Sequence, residues 1–221
     1  MNVERLEIST NARFVPSRPL SAPTGAFPPV GMAIGYAPGE EIYAQEDEKD
    51  RLYRVISGAV RTSRLLADGR RQVGDFYYEG DLFGVEAGSA HRFSAEALND
   101  CQILVVRCSS AAREEDSRLE RLIWDATTQE LGRTQEHMSL LARTSACEKV
   151  ATFLLNLAGR FRADLIHLPM GRQDMAVYLG STLETISRSL SRLQADGVVE
   201  FVGCRDYRVS RPGALERLAL S

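Results

Sequence analysis

The chain has 221 residues, 44% of them hydrophobic, and a formal net charge of −3. That content is enough for a buried core and two domains, and it excludes a disordered chain. No apolar run approaches the roughly 20 residues of a membrane span, and the N-terminus lacks the basic start and apolar block of a signal peptide, so a cytoplasmic protein with no membrane contact is expected. The charge divides unevenly: from Ala146 onward ten basic residues face eight acidic ones, for +2, which leaves −5 on the rest. The sign suits a C-terminal half that meets nucleic acid, but an excess this small cannot carry the claim without a motif.

Residues 1–30 hold Pro16, Pro19, Pro23, Pro28 and Pro29 with little apolar periodicity, and they read as a flexible leader. Over 31–109, strand-like runs at 52–56, 60–66, 72–78, 93–98 and 102–106 alternate with turn signals. Among these signals Asp68-Gly69 is a strong hairpin turn. Many short strands at this spacing predict a β jelly-roll barrel.

The pattern turns helical over 110–145. Trp124, Thr127, Leu131, Thr134, Met138, Leu141 and Ser145 recur at alternating steps of three and four, the seam of a two-stranded coiled coil. A helix of about 36 residues would run about 54 Å and overhang a barrel of this size. The seam is therefore read as a dimerisation surface carried by Trp124, Leu131, Met138 and Leu141. Because two threonines and a serine dilute it, a single helix packed along the barrel is the alternative.

The region 146–221 reads as a winged helix-turn-helix. A first helix is expected at 173–179, with Met175, Ala176 and Leu179 on its apolar face and Gly180 free to adopt the left-handed turn that ends it. A second follows, with Leu183, Ile186, Leu190 and Leu193 inward and Glu184, Ser187, Arg188 and Ser191 outward. A carboxylate can accept from cytosine N4 and a guanidinium can grip guanine O6 and N7, so Glu184, Ser187 and Arg188 are the candidate base readers in a DNA major groove. Two N-termini are open. If Ser181 caps, Ser181-Thr-Leu-Glu184 is a capping box that turns Glu184 back on its own helix; if Thr182 caps, Glu184 is free. Strand-like runs at 198–202 and 207–209 around a short connection form a hairpin wing. Thr182, Ser191, Arg205 and Arg208 are assigned to the DNA backbone, with Arg211 adding positive charge there.

The four cysteines, Cys101, Cys108, Cys147 and Cys204, show no C-x-x-C pair and predict free thiols. Cys147 reads as a small buried hydrophobe, and Cys204, on the wing beside arginines, as a candidate redox site. No cofactor and no metal is called for. A barrel of this kind could instead belong to a metalloenzyme, but that chemistry usually needs paired histidines with a carboxylate. Only His91, His137 and His167 are present, none of them paired.

The order of elements makes an α+β chain of barrel, long helix and winged helix-turn-helix, and it resembles the CRP/FNR family of bacterial transcription regulators from about Tyr36 onward. The residues behind the resemblance are Leu52-Tyr-Arg-Val-Ile-Ser-Gly-Ala-Val60, Gly69-Arg-Arg-Gln-Val-Gly-Asp-Phe76 and Gly80-Asp-Leu-Phe-Gly84 in the barrel, with Glu148-Lys-Val-Ala-Thr-Phe-Leu-Leu155 opening the last domain. The segment Thr182-Leu-Glu-Thr-Ile-Ser-Arg188 is most similar to the FNR and FixK branches, which implies a TTGAT-type palindrome read by a homodimer that contacts RNA polymerase and activates genes at low oxygen. Ser189 departs from the apolar residue usual there and is expected to weaken packing. No cysteine lies in the first 51 residues, so the iron-sulfur cluster of FNR is not expected. The cyclic-nucleotide binders' glutamate after Gly80 is replaced by Asp81, and in Arg92-Phe-Ser-Ala95 the phosphate-gripping arginine is one position out of register. The FixK branch fits best, and a barrel that takes a small effector near 83–93 stands as the alternative.

Overall fold

The computed structural model describes residues 31–108, 117–161 and 165–220. The leader and the expected start of the long helix lie outside them.

The barrel is two four-stranded antiparallel sheets, in the orders β1-β8-β3-β6 and β2-β7-β4-β5. The five predicted runs are β3 (Arg51–Ser57), β4 (Ala59–Leu65), β5 (Arg71–Tyr78), β7 (Ser94–Ala97) and β8 (Cys101–Arg107). Gly69, at φ +80°, makes the β4–β5 hairpin. Three strands carry too little pattern to read: β1 (Met32–Tyr36) has no fully buried residue, only Ile34 and Tyr36 being half-buried, while β2 (Glu41–Tyr43) and β6 (Leu82–Phe83) have only three and two residues. Between the sheets the rings of Tyr43, Tyr53, Tyr77, Phe83 and His91 pack together, with Tyr43 and His91 stacked at 3.7 Å and Tyr53 and Phe83 at 5.2 Å. Within the 83–93 stretch expected to border an effector site, Phe83 and His91 are thus part of a filled interior, while Phe93 is half-buried.

Helix α1 (Ser117–Leu141) follows, 25 described residues, or about 37 Å. It stops short of Ser145. That residue caps the next helix instead: its hydroxyl accepts from the Glu148 backbone N–H at 3.1 Å and donates to the Glu148 carboxylate at 2.8 Å. One face of α1 buries Leu119, Leu122 and Ala126 against Leu52, Leu82, Val106 and Cys108 of the barrel. The opposite face leaves Trp124, Leu131, Met138 and Leu141 exposed at 72%, 58%, 65% and 40%.

Between these faces Glu130 accepts from the Tyr77 hydroxyl at 3.1 Å. Burial, and then the nearby Asp75 charge, push its carboxyl up to about 7 against the pull of Arg133. An unfolded chain ionises this group in the usual carboxylate range. Unfolding therefore releases a proton between that range and pH 7, and stability falls as pH rises through the interval. Glu130→Gln keeps an acceptor for Tyr77 and removes the charge. The variant is expected to gain up to about 3 kcal/mol over the parent at pH 8 and little near pH 4.5, read from urea unfolding at the two values. A gain independent of pH would contradict that origin.

The last domain packs α2 (Ala146–Phe161), α3 (Arg172–Tyr178), α4 (Leu183–Ala195) and α5 (Pro212–Leu220) with a three-stranded sheet of β9 (Leu165–His167), β10 (Val199–Phe201) and β11 (Asp206–Val209), in the order β10-β11-β9. Val150, Leu154, Ile166, Met175, Leu179, Ile186, Leu190, Leu193, Tyr207 and Leu215 form its dry centre. The hydroxyl of Tyr207 donates to the Leu154 carbonyl at 3.1 Å, so its burial leaves no orphan donor. The strand β9 (Leu165–His167) and helix α5 were not expected from sequence.

Candidate nucleic-acid interface

Helix α3 begins after Gly171 and ends on Gly180, whose φ of +58° lets Ser181 N–H reach back to the Ala176 carbonyl at 2.9 Å. The chain turns there and starts α4. Thr182, with φ −94° and ψ 156°, is the N-cap, and its hydroxyl accepts from Thr185 N–H at 3.2 Å. That settles which residue caps. Removing this acceptor in Thr182→Ala is expected to lower stability by about 1 kcal/mol, read as a lower Tm; an unchanged Tm would show the cap to be idle.

Along α4 the inward residues Ile186, Leu190 and Leu193 are buried, and Glu184, Arg188 and Ser191 stand exposed with Ser187 half-buried between them. Ser189 is buried too. Its hydroxyl donates to the Thr185 carbonyl at 2.9 Å, so the serine enters the core with its polarity satisfied, and the expected packing defect has a remedy within the helix. The Glu184 carboxyl lies below its usual range because it accepts from its own backbone N–H and from the Thr182 hydroxyl, with Arg188 adding attraction. One turn apart, an ionised acceptor and a five-donor fork share one outer face, which is the chemistry a cytosine-guanine step requires.

The wing is β10 (Val199–Phe201) and β11 (Asp206–Val209), paired antiparallel, and Cys204 is exposed in the bend between them. Arg208 is exposed and pairs with Glu200 at 3.2 Å across the strands. Exposed Arg205 donates to the Pro169 carbonyl at 3.1 Å, which ties the wing to the segment before α3. Arg211 also has a partner within the domain. Its guanidinium is folded onto the end of α4, donating to the Gly197 carbonyl at 3.0 Å and to that of Asp196, and so fastens a turn. Cys147 is half-buried against the core, where burial pushes its thiol up.

Sequence reasoning missed how this domain is held. Asp174 of α3 bonds Arg61 and Arg71 of the barrel, 113 and 103 residues away, and Tyr178 bonds Asp75. No local pattern announces pairs so distant.

The comparisons agree with the architecture. A family model for a Crp-like helix-turn-helix domain matches residues 148–218, and one for a cyclic nucleotide-binding domain matches 34–113. The nitrogen fixation regulation protein FixK of Rhizobium meliloti (strain 1021) is 41% identical over 85% of this chain and 87% of its own length. The chain belongs to the CRP/FNR family. Its FixK relative from Azorhizobium caulinodans is 37% identical over 95% of this chain and 88% of its own. The solved structure of FixK2 from Bradyrhizobium japonicum matches with a TM-score of 0.78 at 42% identity, covering 86% of this chain and 97% of that one. These relatives are transcription regulators and not enzymes, which removes the metalloenzyme alternative.

A cyclic nucleotide does not fit the residues present. The barrel interior where it would lie is filled by stacked rings. The Asp81 carboxylate, which stands where the resemblance expects a glutamate, is held by Arg160 at 2.6 Å and by Arg133. Arg92 points to solvent. Among the described residues no helix is long and apolar enough to cross a membrane.

Proposed function

We propose that this FixK-type regulator binds a TTGAT-type palindrome as a homodimer, in the cytoplasm and without a membrane, and activates transcription under low oxygen by touching RNA polymerase. The observation that carries the proposal is the outer face of α4. Glu184 and Arg188 are exposed one turn apart above a fully buried Ile186, on a helix capped by Thr182, whose hydroxyl also donates to the exposed Glu184 carboxylate. In the proposal Glu184, Ser187 and Arg188 read bases, while Thr182, Ser191, Arg205 and Arg208 position the helix on phosphates. The exposed apolar stripe of Trp124, Leu131, Met138 and Leu141 joins two chains. The activator role is supported by relatives named as transcriptional activators, such as Anr of Pseudomonas aeruginosa at 31% identity.

Fluorescence anisotropy of labelled duplexes tests the proposal. A TTGAT palindrome is expected to bind at least a hundredfold more tightly than a scrambled duplex at equal salt, since mismatches cost about 1–3 kcal/mol each. Equal affinity for both would overturn it. Repeating the titration with oxidant tests Cys204 on the wing, where an added oxygen is expected to weaken binding; an unchanged affinity removes it as a redox site.

A further inference from the structure

Helix α3 has two working faces. Met175, Ala176 and Leu179 pack beneath α4, and Asp174 and Tyr178, four apart and next to them on the helix, meet the barrel. Both oxygens of the Asp174 carboxylate are taken. Oδ2 accepts from Arg61 Nη1 at 2.7 Å, and Oδ1 accepts from Arg71 Nη2. Arg61 lies on β4, is 5% exposed, and its other terminal nitrogen donates to Glu96 of β7 at 2.6 Å. A carboxylate in the first turn of a helix is commonly explained by the helix dipole alone. That explanation needs no partner from another domain, and here two arginines and a glutamate of the barrel are arranged around the group.

One turn later the Tyr178 hydroxyl donates to Asp75 of β5 at 3.1 Å, and its ring stacks on His137 of α1 at 4.0 Å and 7°. His137 Nε2 donates to the Tyr178 carbonyl at 2.8 Å. So α3 is held at its start by the β4–β5 hairpin and at its end by α1. Since α4 rests on α3, the docking decides where the reading helix lies relative to α1.

We propose that Asp174 is a positioning residue for half-site spacing: by fixing α3 to the hairpin it sets the distance between the two reading helices of the dimer, and so which operator spacers are accepted. This rests on the dimer reading above, and it adds a determinant that touches no base. A one-base-pair change of spacer moves a half-site by about 3.4 Å along the duplex and turns it by about 35°, which a clamped pair cannot follow.

The test uses the full chain with Asp174→Asn, with the pair Asp174→Leu and Arg61→Met, which leaves only the partly exposed Glu96 and Arg71 without their partners if the single change unfolds, and with Asp174→Glu as the conservative control. Two quantities are read. The first is the distance distribution between labels on the exposed thiol of Cys204 and on Asp68→Cys at the hairpin tip, in labelled chains diluted with unlabelled ones and without DNA. The second is affinity for palindromes whose spacer is changed by one or two base pairs either way. In the parent a narrow distance and a sharp spacer optimum are expected. With the clamp removed the distance should broaden, and if the competent posture falls to about one tenth, affinity at the optimal spacer falls about tenfold. The penalty for a one-base-pair change should shrink while preference for the half-site guanine stays, and Asp174→Glu should restore most of the parental profile. A narrow distance and an unchanged spacer profile in folded clamp variants would overturn the proposal. A parent with no spacer optimum would overturn the dimer reading instead, and the label distances would still decide the clamp.

Discussion

Arg188→Ala is expected to erase the preference for guanine at one position of each half-site and to weaken binding of the intact palindrome by a factor of about 30 to more than 1,000. The guanidinium of Arg188 is exposed and next to an ionised Glu184, so it reaches a groove without first breaking a buried contact. A bidentate grip on O6 and N7 discriminates by about 1–3 kcal/mol, and a dimer loses it twice. The alanine leaves the fold alone, because the core under α4 is made by Ile186, Leu190 and Leu193. The check is affinity for all single-base variants of the operator. The expected profile flattens at the guanine and keeps its shape elsewhere. Uniform weakening across every variant would mean that Arg188 meets a phosphate and carries no sequence information.

Leu131→Asp combined with Met138→Asp is expected to convert the protein to a folded monomer with no measurable affinity for the palindrome at concentrations where the parent saturates it. Both side chains are more than half exposed, on the face of α1 turned away from the barrel, so the substitutions cost the single chain little. In a paired helix each would be buried twice over, and a buried Leu or Met contributes about 1.5–3 kcal/mol. Like charges facing across the seam add repulsion. Sedimentation equilibrium reads the mass, and circular dichroism the fold. A dimer that survives both changes would move the interface elsewhere and take the operator geometry with it.

The parts of the molecule legible in the sequence are those whose signal is local. Gly180, Thr182 and the three-and-four spacing of Ile186, Leu190 and Leu193 define the helix-turn-helix within a few residues, and the structure reproduces them with the cap on Thr182. Asp68-Gly69 gave a hairpin for the same reason. Where elements are short, as in β2 and β6, too few residues alternate for a pattern to exist. The long helix was overextended because Ser145 falls in the seam register yet caps α2, and periodicity alone cannot distinguish a helix residue from the cap of the next one. The contacts Arg211 makes were out of reach for a related reason. Composition marks a positive charge, but the carbonyls at the end of α4 that bind it are visible only in three dimensions. Least legible of all is the docking of α3, where Asp174 meets Arg61 across 113 residues.

Buried ion pairs of this type are weak evidence for stability, since desolvation offsets much of their attraction, and their best-attested use is to specify one arrangement among several. A chain that joins a barrel to a reading head has reason to specify one. The network of Asp174, Arg61, Arg71 and Glu96, with Asp81 held by Arg133 and Arg160 on a second seam, gives the head a defined posture against the barrel.

Selection of binding sites from random duplex DNA with the purified full-length protein tests the central claim most directly, because it imposes neither a sequence nor a symmetry in advance. Enriched molecules are expected to carry two inverted TTGAT-type half-sites at one fixed spacing. Enrichment of a single half-site, of unrelated sequences, or of none at all would contradict paired reading by the α4 helices.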